Sequence, residues 1–211
     1  GHGDFWIGPD GENPLRPYAD NRDAFVLKLD PDGHYVFHTY LGGHEYEMSE
    51  TICVSNSGSF LLIGTSALPW SGFGGESPVN PAAGATESYV FQLDSNGEYE
   101  WHTFIGGEQQ DGGYGIITDS SGKVFTAGFS DTSWSGSNGE KALIPYAGSF
   151  DAVLYKTDAT GAYEWHAYFG GEVSEDHGKY ITLDENGNLF FLGYSTESWD
   201  GPEGEEGPRS P

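Results

Sequence analysis

The sequence predicts an all-β fold in which one four-stranded antiparallel unit is repeated about three times. Three observations predict it. First, residues recur at a fixed period. Trp6, Trp70, Trp134 and Trp199 stand 64, 64 and 65 residues apart. Asp30, Asp94 and Asp158 keep the 64-residue spacing, as do Gly33, Gly97 and Gly161 and His38, His102 and His166. Self-similarity at a fixed period is the signature of a repeat architecture. Second, 33 Gly, 11 Pro and an aromatic content of 15% suit short strands joined by tight turns rather than helices. Third, apolar runs within each period alternate with turn sequences carrying Asp and Gly.

Each unit starts after a double glycine: Gly42-Gly43, Gly106-Gly107 or Gly170-Gly171. A first strand is predicted over 51–55, 115–118 and 180–183, and a second over 60–63, 124–127 and 189–192. Both are nearly continuous apolar runs and are expected to be buried on both faces. A long loop opening on Trp follows. A third strand is predicted over 24–29, 89–93 and 152–156, ending in the turns Asp30 to Gly33, Asp94 to Gly97 and Asp158 to Gly161. Asp supplies a side-chain hydrogen bond in such turns and Gly supplies the positive φ. The fourth strand, over 35–41, 99–105 and 163–169, alternates aromatic with polar residues, which predicts an outer strand with one wet face. Four antiparallel strands with the most apolar ones inside describe a β-propeller blade. A solenoid or a string of small sandwiches is the alternative, and solenoid coils are shorter than this period.

Counted in phase, the chain divides into a half blade at 1–48 (third and fourth strands), whole blades at 49–107 and 108–171, and a half blade at 172–211 (first and second strands, with an acidic tail). Unpaired strand edges invite pairing, so head-to-tail association of the complementary halves into a ring or a filament is expected. The competing expectation is that further repeats of a longer chain pair with them.

Charge excludes one class of partner. With 33 Asp and Glu against 8 Lys and Arg, the net charge is −25, which repels phosphate backbones and argues against nucleic-acid binding. No apolar run is long enough to span a bilayer as a helix, so membrane insertion is not expected. The single Cys53 has no cysteine to pair with inside the chain and is expected to be a buried structural residue.

The segments Asp23-Ala-Phe-Val-Leu-Lys-Leu-Asp30 with Thr39-Tyr-Leu-Gly-Gly43, and Tyr114-Gly-Ile-Ile-Thr-Asp-Ser-Ser-Gly-Lys-Val-Phe-Thr-Ala-Gly128, resemble the bacterial beta-propeller repeat family, sometimes called seven-bladed β-propeller repeats. The resemblance covers the chain except parts of the Trp loops. It implies an extracellular or cell-surface protein whose repeats serve as scaffold, adhesion or binding modules, with no shared catalytic residues. The chain departs from the family pattern at His38, His102 and His166 and in its W-x-G-x-x-G-E loops.

Those loops run from Trp6 to Glu12, Trp70 to Glu76, Trp134 to Glu140 and Trp199 to Glu205. Glycines permit a fold-back that aims carbonyls and a carboxylate at one point, the donor set of Ca²⁺. The candidate ligands are Asp10, Glu12, Glu76, Asn138, Glu140, Glu203 and Glu205, while Gly74 replaces a donor in the second copy. The alternative is that Trp caps the blade edge and Glu faces solvent. Glu45, Glu47, Glu108, Asp111, Glu172, Glu175 and Asp176 follow the double glycines. Of these, Asp111, Glu175 and Asp176 join the calcium candidates. The reading preferred over metal is that a carboxylate here accepts N–H bonds at the neighbouring strand start and pins adjacent blades. The three His each follow an aromatic residue and are expected to be hydrogen-bonded on a half-exposed strand.

No G-x-S-x-G, H-E-x-x-H or P-loop motif occurs, and the polar residues recur identically from unit to unit, which marks structural need. The expectation is a non-enzymatic scaffold or adhesion protein stabilised by calcium. A module binding carbohydrate or surface proteins is the main alternative, and a hydrolase or lyase propeller a minor one.

Overall fold

A computed structural model of the chain describes residues 6–19, 22–43, 45–84 and 86–201. Twelve strands follow one another: β1 (Ala24–Leu29), β2 (Tyr35–Leu41), β3 (Glu47–Val54), β4 (Phe60–Ser66), β5 (Glu87–Leu93), β6 (Tyr99–Ile105), β7 (Asp111–Thr118), β8 (Val124–Ser130), β9 (Asp151–Thr157), β10 (Tyr163–Phe169), β11 (Asp176–Leu183) and β12 (Leu189–Ser195). Among the described residues there is no helix. The strands form four antiparallel sheets: the pairs β1–β2 and β11–β12, and the meanders β3–β4–β5–β6 and β7–β8–β9–β10. Among the described residues the two-stranded sheets do not join, and no sheet closes on itself.

The turns form for a local reason. One carboxylate oxygen of Asp30 accepts the N–H groups of Asp32 (2.9 Å) and His34 (2.8 Å). Gly33, at φ 84°, returns its own N–H to the Asp30 carbonyl. Asp94, Asp119, Asp158 and Asp184 repeat the side-chain contacts, so the same side-chain clasp closes five hairpins.

A second local device recurs in the first strand of each sheet. The register shifts between Ser49 and Thr51, between Gly113 and Gly115, and between Gly178 and Tyr180, as in a β-bulge. Opposite each bulge stands Gly64, Gly128 or Gly193, where an added Cβ would overlap the carbonyl oxygen of Met48, Gly112 or His177.

The sheets stack in chain order, β3 against β7 and β7 against β11. One core lies between β1–β2 and the first meander, built on Val26, Phe37, Leu62, Phe91 and Trp70. The next lies between the two meanders, on Leu61, Val90, Trp101, Ile116 and Tyr155. The third joins Phe125, Ala127 and Leu154 to Ile181 of β11.

Three expectations are corrected. The strands β3, β7 and β11 start at Glu47, Asp111 and Asp176, four residues earlier than the apolar runs suggested, so the division after residue 48 cuts β3. Most of these early residues are polar or Gly, with Met48 and Tyr114 isolated among them, so they form no apolar run. They extend because their leading edge bridges the preceding unit in parallel at Arg22–Tyr46, Thr86–Gln110 and Phe150–Glu175. The first strands are also not uniformly buried: β3 alternates, leaving Ile52 and Val54 exposed. Conversely, β6 is not half wet but buried from Trp101 through Ile105. The long loop folds back onto its outer edge, where Val79 N–H bonds His102 O (2.8 Å) and Phe104 N–H bonds Asn80 O (3.1 Å). Leu15 and Arg16 cover β2 in the same way, and Leu143 and Ile144 cover β10. An edge strand so covered is removed from water and from foreign strands.

Gly128→Ala forces a methyl against backbone and is expected to destabilise the protein by about 1–3 kcal/mol in denaturant unfolding. An exposed turn substitution such as Ser121→Ala is the comparison.

Candidate functional site

The W-x-G-x-x-G-E loops close on themselves. Gly8, Gly72 and Gly136 each donate N–H to the carbonyl of Glu12, Glu76 or Glu140 at 2.8 Å, and Gly11, Gly75 and Gly139 reverse the chain at φ 89°, 91° and 85°. The glutamate carboxylates then accept the N–H of Asp10 (3.0 Å), Gly74 (2.7 Å) and Asn138 (2.9 Å). Asn138 adds its side-chain amide to Glu140 at 3.1 Å, and these bonds hold the Glu140 carboxyl below the usual carboxylate range. Asp10, Glu12, Glu76, Asn138 and Glu140 thus sit in three separate loops, with each glutamate carboxylate engaged by its own loop's backbone. Glu203 and Glu205 lie outside the described residues.

Each loop is anchored by a Tyr–His–Trp cluster. His38, His102 and His166 are fully buried, not half-exposed, because the Trp folds over them. The rings of Trp70 and His102 stack at 4.5 Å and those of Trp134 and His166 at 3.7 Å, while Trp6 tilts over His38 at 4.1 Å. The Nε2–H of each His donates to the carbonyl of its Trp at 3.0, 3.0 and 3.2 Å. A carbonyl only accepts, so Nδ1 is the bare nitrogen and accepts the hydroxyl of Tyr35 (2.7 Å), Tyr99 (3.0 Å) or Tyr163 (2.8 Å). Burial lowers the pKa of His102 and takes His166 down to about 4, so both stand neutral. The Tyr partners were not singled out from sequence, although Tyr35, Tyr99 and Tyr163 keep the 64-residue period.

A third recurrent group lies where one sheet passes to the next. The carboxylate of Glu47 accepts Gly43 N–H (3.2 Å), that of Asp111 accepts Gly107 N–H (2.8 Å), and that of Asp176 accepts Gly171 N–H (3.1 Å). A partner carboxylate starts each third strand. Asp23 takes Ala19 N–H (2.7 Å), Glu87 takes the N–H of Ala83 and Gly84, and Asp151 takes Ala147 N–H (2.6 Å). Sequence reading missed Asp23, Glu87 and Asp151, which share the same period. Asp151 and Asp176 converge over Gly170, where a Cβ would stand 2.6 Å from an oxygen of each. Glu175 is exposed beside its buried neighbour, and nothing in the composition of that acidic stretch distinguishes the two. Glu47, Glu87, Asp111, Asp151 and Asp176 are all buried. Burial, with the neighbouring carboxylate adding to it, pushes Asp111 up to about 7 and Asp151 up to about 6.

Asp30, Asp32 and His34 are the one group of three candidate metal donors among the described residues, and they lie on an exposed turn that the Asp30 carboxylate already closes. Cys53 is half-buried against the core between the meanders, and burial raises its thiol to about 11.

Fold and recurrent groups together define an all-β repeat protein whose repeating polar residues hold turns, loops and sheet junctions. No family model matches the chain. Over 157 residues, 72% of this chain, it is 27% identical to the regulatory protein FlaEY of Caulobacter vibrioides, and it spans 16% of that protein's length.

Trp70 is 8% exposed, and Trp70→Ala is expected to cost about 3–5 kcal/mol by calorimetry or denaturant unfolding. The buried acids and histidines oppose each other in pH. A carboxyl whose folded pKa is raised gives stability that is complete below roughly pH 4 and lost as pH rises through its folded value. A His whose folded pKa is lowered gives stability that is complete above roughly pH 6.5 and lost as pH falls. Between pH 4 and 7 the two trends offset in the parent protein. Asp111→Asn is therefore expected to gain melting temperature relative to the parent as pH rises from 5 to 8, and His166→Gln to gain as pH falls from 7 to 4.

Proposed function

We propose that this chain is a non-enzymatic repeat scaffold or adhesion module of the β-propeller type, carried outside the cell or on its surface. The observation that carries the reading is the use of the polar residues. The Tyr–His–Trp clusters and the carboxylates at the double glycines recur in each unit, and the hydrogen bonds that define them run to backbone and within the cluster. A catalytic centre needs unlike groups converging on one point, whereas repetition yields several equivalent joints. The blade assignment is supported by four-stranded meanders that stack through their first strands.

Calcium belongs to the same reading, through the buried pairs rather than the exposed loops. Asp151 Oδ1 and Asp176 Oδ1 accept no hydrogen bond among the described residues. A hard cation relieves the repulsion between such carboxylates and stabilises the native state by mass action.

Protease treatment of intact cells making the full-length protein tests location, and loss of the repeat epitope is the expected result. Thermal melts in calcium, magnesium and chelator test the ion. Calcium is expected to raise the melting temperature more than magnesium does, and Asp151→Asn is expected to blunt the difference. Coincident melts remove calcium from the reading. Glycan-array screening separates a scaffold, which gives no selective signal, from a sugar-binding module.

A further inference from the structure

Exposed apolar side chains concentrate on the two two-stranded sheets. Phe25, Leu27 and Leu29 of β1 are 61%, 40% and 49% exposed, yet Tyr89, Phe91 and Leu93, their equivalents 64 positions along in β5, are fully buried. Phe190 and Leu192 of β12 are 58% and 63% exposed, against 7% and 1% for their β8 equivalents Phe125 and Ala127. The cause is pairing: β4 lies against β5 and β8 against β9, whereas β1 and β12 each keep one open edge among the described residues.

A cavity supplies the independent observation. About 330 Å³ of space lies beside β12, lined by Ala152, Phe169, His177, Phe191, Tyr194 and Trp199. One repeat earlier, the equivalent lining of Ser88, Ile105, Gly112, Thr126, Phe129 and Trp134 encloses only about 10 Å³, and Val153 of β9 also lines it. Val153 stands opposite Gly128, as Tyr89 stands opposite Gly64. Counting back two periods from Val153 gives Phe25, the one aromatic side chain of β1.

We propose that the open edge of β12 takes β1 of a second copy of this chain, antiparallel, with Phe25 of that copy seated in the cavity. The inference rests on the blade reading and adds its partner and register. The β4–β5 and β8–β9 pairs fix that register: Gly193 faces the partner strand's residue 25, Leu189 its residue 29 and Ser195 its residue 23. The occupant is a second copy because both sides of this interface already exist inside the chain. Lys28 then falls opposite Phe190, as Lys156 falls opposite Phe125 with its ammonium 5.1 Å from the ring. The chain's own β1 is packed on the far side, against β3. Burying the two apolar edges removes surface that a folded chain otherwise leaves in water. The contact is head-to-tail, so two copies pairing reciprocally close a ring of six four-stranded sheets, and one-way pairing extends a filament.

Light scattering coupled to size exclusion, across a micromolar concentration series, reads the assembly. The unsubstituted 211-residue chain is expected to run as two or more copies and Phe25→Asp as one. The melting profile of the variant's meanders should be unchanged, because Phe25 packs little in the single chain. In a Cys53→Ser background, Leu29→Cys with Leu189→Cys is expected to give a disulfide between chains, and Phe25→Cys with Leu189→Cys to give none. A folded chain that stays single at every concentration overturns the proposal, as does a 29–189 disulfide formed within one chain. Association that survives Phe25→Asp without the 29–189 crosslink overturns the register. Each of these results leaves the location and glycan tests of the scaffold reading to stand or fall separately.

Discussion

The structure depends on one repeated interaction, the grip of a buried carboxylate on the N–H of the second residue of a double glycine. Glu47, Asp111 and Asp176 each begin a first strand and hold Gly43, Gly107 or Gly171, so the end of one unit is tied to the start of the next. Without that tie the polar stretch before each apolar run has no reason to be extended, and the parallel bridges at Arg22–Tyr46, Thr86–Gln110 and Phe150–Glu175 lose their geometry. A carboxylate accepting backbone N–H is a charge-assisted bond, about twice as strong as a neutral one. Burying two such groups side by side is the cost, visible in the raised carboxyls of Asp111 and Asp151.

The Trp loops depend on this joint in turn. Once a unit is placed, its long loop reaches back over the fourth strand, pairs with its edge and seats Trp on a neutral His. The stacked Trp70 and His102 rings, and the Tyr99 hydroxyl on the remaining nitrogen, satisfy every polar atom of a buried imidazole. The loop whose composition suggests a ligand cradle also serves as an edge cover. Its glutamate closes the turn that lets Trp reach the core.

Stacking of consecutive sheets then leaves apolar surface wherever the stack is incomplete. The contrast between Phe25 and Tyr89, chemically similar residues at equivalent positions, comes wholly from whether a β4-type strand lies alongside. A repeat protein of this kind behaves as a nearest-neighbour system, each unit completing the burial of the one beside it.

Sequence alone determined the period, the strand order and the turns, because these rest on local chemistry. Asp and Gly at fixed offsets close a hairpin wherever they occur, the spans of β2, β6 and β10 follow from alternation, and that of β1 follows from the apolar run before its turn. It also pointed to the carboxylates after the double glycines as joints. Tertiary structure decided what the polar residues touch. Whether Glu175 or Asp176 is the buried acid depends on strand register across a gap of many residues, and so do the pairing of Asp151 with Asp176 and the covering of β6 by residues 79 and 80. A side chain's burial is likewise a property of its neighbours. Leu27 and Phe91 are both apolar strand residues, and only the presence of an adjoining strand puts one in water and the other in the core.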